Sequence, residues 1–213
     1  MSRIWLRYTL YLLMVIGISN TKAGAYEDFF VAAMNDNGSV METLLLRGMD
    51  PNSRSEQGQT ALYLAMREGS FKVADKLLAA PATDIDLANA VGETPLMMAA
   101  LKGHLAWMQR LIDRGARLEL TGWTPLHYAA SGAESDAVDL LVRRGARLDA
   151  RSPNGTTPLM MAARYGSESS VKRLLEAGAD PRLRNQQDLD AAGFARQGGR
   201  DSLAQSLARA AGR

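Results

Sequence analysis

The sequence predicts an all-α solenoid: about six helix–turn–helix units stacked in a row and joined by short β-turn fingers. Three observations predict it. The heptapeptide TPLMMAA stands at Thr94–Ala100 and again at Thr157–Ala163. Thr60, Thr94, Thr124 and Thr157, aligned on that motif, are spaced by 34, 30 and 33 residues, a period that marks stacked supersecondary units. An aliphatic pair begins 17 residues after each threonine: Leu77-Leu78, Leu111-Ile112, Leu141-Val142 and Leu174-Leu175. Composition agrees, since 46% apolar but only 6% aromatic residues favour packed helices over a β-sandwich.

From the N-terminus, Arg3 and Arg7 precede an uncharged apolar run, Tyr8–Ile18, and then Ala23-Gly24-Ala25. A positive flank, a short apolar run and a small-residue site predict a secretory signal peptide over 1–25, cleaved after Ala25. This mostly apolar run of 11 residues is too short for a spanning helix, which needs roughly 20. No stable membrane anchor is therefore expected after cleavage. The whole chain carries 25 Lys and Arg against 23 Asp and Glu. Removing Arg3, Arg7 and Lys22 leaves 22 against 23, net −1, so no nucleic acid is expected as partner.

One unit is readable from its residues. Threonine caps the first helix by accepting a free N–H, and proline at the first helical position loses nothing by lacking one. Alanines in L-x-x-A-A let neighbouring helices approach, and glycine ends the helix in a left-handed conformation. A second helix turns its Leu-Leu pair to the core and stops at Gly115, Gly145 or Gly178. Polar stretches such as Asn52–Gly58 and Arg151–Gly155 carry the turn to the next unit. The units fall near 26–57, 58–91, 92–121, 122–154, 155–187 and 188–213. The first lacks its threonine and the last starts at Asp190, also a good N-cap. Ala79–Glu93 lacks the glycine, and Gly115–Trp123 is three residues short, which predicts a blunted finger.

Gly122–Ala133 (GWTPLHYAASGA) and Val171–Asp180 resemble the two halves of the ankyrin repeat, and in phase the resemblance covers 26–213. It implies a stack whose terminal units drift from the pattern and whose His127 and His104 make structural hydrogen bonds.

Chemistry is sparse. The absence of cysteine excludes disulfides, thiolate zinc sites and a cysteine nucleophile. Neither histidine has a partner at metal-ligand spacing, and neither G-x-S-x-G nor a P-loop occurs. Glu134, Asp136 and Asp139 read as a solvated helix face, and Met97-Met98 and Met160-Met161 as adaptable core filler. No enzyme activity, cofactor or metal is expected.

What the pattern leaves free is surface. The resemblance implies that fingers and the residues ending each first helix form a concave binding strip. By register these include Arg67, Glu68, Leu101, Lys102, Arg164 and Tyr165, with Trp123 in a finger. Trp123 is balanced between anchoring a partner and packing on its shortened finger. Tyr165 beside Arg164 is the stronger anchor, as aromatics and arginine are enriched at interface hot spots. The function expected is a non-catalytic protein-binding module in the bacterial periplasm, a monomer acting on another protein. Two narrower roles are an immunity or inhibitor protein against a periplasm-acting enzyme and a stress-protective partner of a periplasmic enzyme.

Overall fold

The structure is a computed structural model that describes residues 22–212. The expected signal segment lies outside the described residues except for Lys22–Ala25. All elements among the described residues are α-helices, and they pair into six hairpins. The chain divides into two compact units, one ending at Asp84 and one beginning at Ile85.

The first unit holds α1 (Lys22–Met34), α2 (Gly38–Leu46), α3 (Ala61–Glu68) and α4 (Phe71–Ala79). α1 packs on α2 and α3, and α4 on α2 and α3, so first helices touch first helices and second helices touch second helices. Ala61–Met66 of α3 is wholly buried, whereas α4 buries one face, Val73, Ala74, Leu77 and Leu78. Thr60 Oγ1 accepts the Tyr63 N–H at 3.2 Å, the cap expected of it. Asn37 caps α2 through the Val40 N–H, at 3.2 Å. Asp36 accepts the Lys72 and Val73 N–H groups at 2.7 and 3.1 Å, capping α4 from the preceding repeat. Where α4 lacks its terminal glycine, the Thr83 hydroxyl donates to the Leu77 carbonyl at 2.5 Å.

The second unit holds α5 (Pro95–Lys102), α6 (Leu105–Asp113), α7 (Pro125–Ser131), α8 (Ser135–Arg143), α9 (Pro158–Arg164), α10 (Glu168–Glu176), α11 (Ala191–Gln197) and α12 (Asp201–Ala210). The first helices pack in series α5–α7–α9–α11, and α6, α8 and α10 form the second row. The second helices end at Gly115, Gly145 and Gly178 with φ of 92°, 84° and 101°, in the left-handed region that only glycine adopts freely. One expectation needs correction. Gly166 does not take the left-handed conformation that Gly103 takes with φ 69°. It is required for closeness, because a Cβ there would run into the Ala130 carbonyl of α7.

The fingers are held by a device that the sequence reading did not single out. Ser55, Asn89, Ser152 and Asn185 stand in equivalent places. Each donates its N–H to the carbonyl four residues on, at 2.8–3.0 Å. Each also accepts that residue's N–H on its side-chain oxygen, at 2.9–3.1 Å. The shortened segment instead bends through Thr121–Trp123 without closing such a turn, as its length predicts.

Candidate functional site

The caps of the second unit show what its motif does. Thr94 and Thr157 accept the N–H of Met97 and Met160 at 3.3 and 3.4 Å. In return Met97 and Met160 accept the threonine N–H on sulfur, at 3.4 Å in both copies. In the fourth repeat His127 fills that place, its Nδ1 accepting the Thr124 N–H at 3.2 Å. Nε2 therefore carries the ring proton and donates to the Thr156 carbonyl of the next repeat, at 3.0 Å. His127 is fully buried, and burial pushes its pKa down from the usual 6.5 to about 4, against smaller opposing effects of backbone bonds. It is a neutral strut between repeats. Met97 and Met160 are thus capping residues as well as filler.

A second set of contacts stitches repeat to repeat. Asn52 accepts the Asp84 N–H in the first unit, at 2.8 Å. In the second, Asp86 accepts from Arg117, Glu119 from Arg147 and Asp149 from Asp180, at 3.0, 2.7 and 3.1 Å. Asp136 and Asp139 do more than face solvent, since both pair with Arg173 of the following repeat. Arg144 bonds Asp113 at 3.0 Å, and hydrogen bonds from Gln109 and Arg144 hold the Asp113 carboxyl below the usual carboxylate range. Arg200 donates to the carbonyls of Ala162, Ala163 and Gly166 at 2.9–3.1 Å, a cation placed on the C-terminus of α9.

The residues expected to bind a partner divide by unit. In the first, Arg67 and Glu68 close on each other, Nε to Oε1 at 2.6 Å, which satisfies both charges. In the second, Leu101 is half-buried and Lys102 exposed at the end of α5. Trp123 is half-buried and sets its ring edge-to-face on His127, centroids 5.2 Å apart. It packs over the buried strut. Tyr165 is 58% exposed, and the Arg164 guanidinium lies 5.0 Å from its ring centroid. Arg164 also donates to Gln197 Oε1 at 2.8 Å, the equivalent position one repeat on. Trp107, on a second helix, is buried under the Arg110 guanidinium at 4.0 Å, a packing role. His104 stands at the N-cap of α6, its N–H donating to the Ala99 carbonyl at 2.9 Å. A residue that sequence reasoning passed over is Tyr128, whose hydroxyl donates to Glu93 Oε1 at 2.9 Å while Asn89 Nδ2 donates to Oε2 at 2.8 Å. No helix among the described residues is long and apolar enough to cross a membrane.

Comparison with known proteins agrees with the repeat. The family described as "Ankyrin repeats (3 copies)" matches residues 29–122 and 110–185. The ankyrin repeat protein nuc-2 of Neurospora crassa is 29% identical over 201 residues, covering 77% of this chain and 19% of that protein. The nuclear factor NF-kappa-B p105 subunit of Gallus gallus is 32% identical over 162 residues, covering 73% and 16%. The human transient receptor potential cation channel subfamily A member 1 is 27% identical over 183 residues, covering 82% and 16%. The chain therefore spans less than a fifth of the length of each of these relatives.

Proposed function

Because the chain belongs to the ankyrin-repeat family, a family of protein–protein interaction modules, we propose that it is a non-catalytic binding module of the bacterial periplasm. It is exported by residues 1–25 and acts as a mature domain of residues 26–213. One observation carries the binding reading. The first helices of the second unit are buried almost throughout, yet their ends leave Lys102 and Tyr165 exposed with Arg164 held between ring and amide. A rigid display of this kind loses little conformational entropy on binding.

The test is retention of proteins from a periplasmic extract on the immobilised chain, beside a Lys102→Ala/Tyr165→Ala bait. The reading expects a protein held by the first bait and lost on the second. Identical retention on both would refute the surface. If the captured protein is an enzyme, its activity in the complex separates the narrower roles: abolished activity favours an inhibitor or immunity protein, and activity preserved under stress favours a protective partner. Export is tested separately, by fusing residues 1–25 to a reporter active only outside the cytoplasm. A reporter that stays inactive removes the periplasmic part alone.

A further inference from the structure

The charges on the two helix rows of the second unit are arranged differently, and this bears on the chemistry of the partner. The second helices carry both signs and spend them on one another across repeats, as in Arg173 with Asp136 and Asp139 and Arg144 with Asp113. Among the first helices, α5, α9 and α11 each carry one basic residue, Lys102, Arg164 and Arg196, α7 carries no charge, and none of the four carries an acid.

Along the ends of α5, α7 and α9 the pairs read Leu101-Lys102, Ser131-Gly132 and Arg164-Tyr165. The middle pair is small, and the three ends are in close register. A Cβ at Gly132 would lie 2.7 Å from the Leu101 carbonyl oxygen, and one at Gly166 would strike the Ala130 carbonyl. The floor therefore dips between a lysine on one side and an arginine–tyrosine pair on the other. Two helix spacings of about 8–10 Å separate the cations, a span of about six residues of extended chain. Lys102 makes no ion pair among the described residues. Arg164 spends one donor on Gln197, and a guanidinium has five. Glu93, at the opposite end of α5, is occupied by Tyr128 and Asn89. Glu134, whose side chain stands against Gly103, borders the Lys102 side.

Resting on the binding reading above, the geometry points to an extended acidic segment of a partner protein as the occupant of this dip. Its carboxylates meet Lys102 and Arg164, its chain crosses Ser131-Gly132, and the Tyr165 ring walls one side. Cations in the last turn of a helix also complement its dipole, so the test reads binding and folding side by side.

A random-peptide library is selected on the immobilised full chain, with Lys102→Glu/Arg164→Glu as the counter-bait and thermal unfolding recorded for both. Lys102→Ala/Arg164→Ala serves as second counter-bait if the charge reversal unfolds. The expected peptides carry two Asp or Glu residues about six positions apart. They bind the counter-bait at least about tenfold more weakly and weaken as salt screens the contact. Glu134→Gln binds them about twofold more tightly, as removal of a rim charge should. Neutral or basic peptides that are lost on the counter-bait overturn the acidic partner and leave the binding surface standing. Peptides held equally by both baits overturn the acidic partner and count against the surface too. A selection that enriches nothing also overturns the proposal.

Discussion

The first and second helices of the second unit are built to opposite rules. α5, α7, α9 and α11 are short runs rich in Ala, Leu and Met, buried almost all round and polar at their ends and at His127 and Tyr128 of α7. α6, α8 and α10 bury one stripe, such as Ala137, Val138, Leu140 and Leu141 in α8, and cross-link their charges to the next repeat. The difference teaches where each kind of stability resides. Between first helices, it lies in close approach and shared caps, which leave no slack. Between second helices, it lies in an apolar stripe with a screened ionic margin, which tolerates change. The ends of the first row carry side chains that neither rule needs.

Substitutions test this contrast in a graded way. Gly166→Ala puts a methyl group into the Ala130 carbonyl and should cost about 2–4 kcal/mol in urea unfolding. Gly145→Ala meets nothing within 4 Å and has only its φ of 84° to overcome, about 1–2 kcal/mol. Equal losses at the two would erase the distinction between closeness and backbone freedom.

His127 supplies the next effect. Its folded pKa lies below the unfolded value, so the unfolded chain binds more protons between about 6.5 and 4. Stability is full above the unfolded pKa, falls as pH drops through that window and levels below about 4, a loss of roughly 2–4 kcal/mol. His127→Met copies the cap of Met97 and Met160 and forgoes the bond to Thr156. It should be less stable at neutral pH by about 1–2 kcal/mol and show a shallower acid dependence. An unchanged slope would place the acid sensitivity elsewhere.

Smaller still is the stitch between repeats. Asp149→Ala removes the acceptor of the Asp180 N–H and should cost about 1 kcal/mol. Breaking the half-exposed pairing of Arg173 with Asp139 should cost no more than about 1 kcal/mol and less at high salt. A larger loss at Arg173→Ala than at Gly166→Ala would invert the comparison.

Much of the fold was legible because each repeat restates it. Thr60, Thr94 and Thr157 cap as their motif predicts, and Asp190 does so through the Gly193 N–H at 2.8 Å. What stayed hidden depends on which side chain reaches which partner, within a repeat or in the next one. Met97 is a capping residue only because its sulfur reaches back to Thr94, and Asp36 caps α4 from 36 residues away. The role of Gly166 depends on the Ala130 carbonyl, so its likeness to Gly103 in sequence misleads. Trp123 was ambiguous for a related reason: the ring it covers belongs to His127, in the next turn of the chain. The surface candidates are harder by nature, since the repeat pattern constrains them least.

The most direct measurement crosses two double variants with two readouts. Lys102→Ala/Tyr165→Ala and Asp139→Ala/Arg173→Ala are each measured for unfolding by urea and for retention of the captured partner. The account predicts that the first keeps its stability within about 0.5 kcal/mol and loses the partner, while the second loses stability and keeps the partner. The reverse pattern, or loss of both properties in both variants, would contradict a division between a surface that binds and a face that holds.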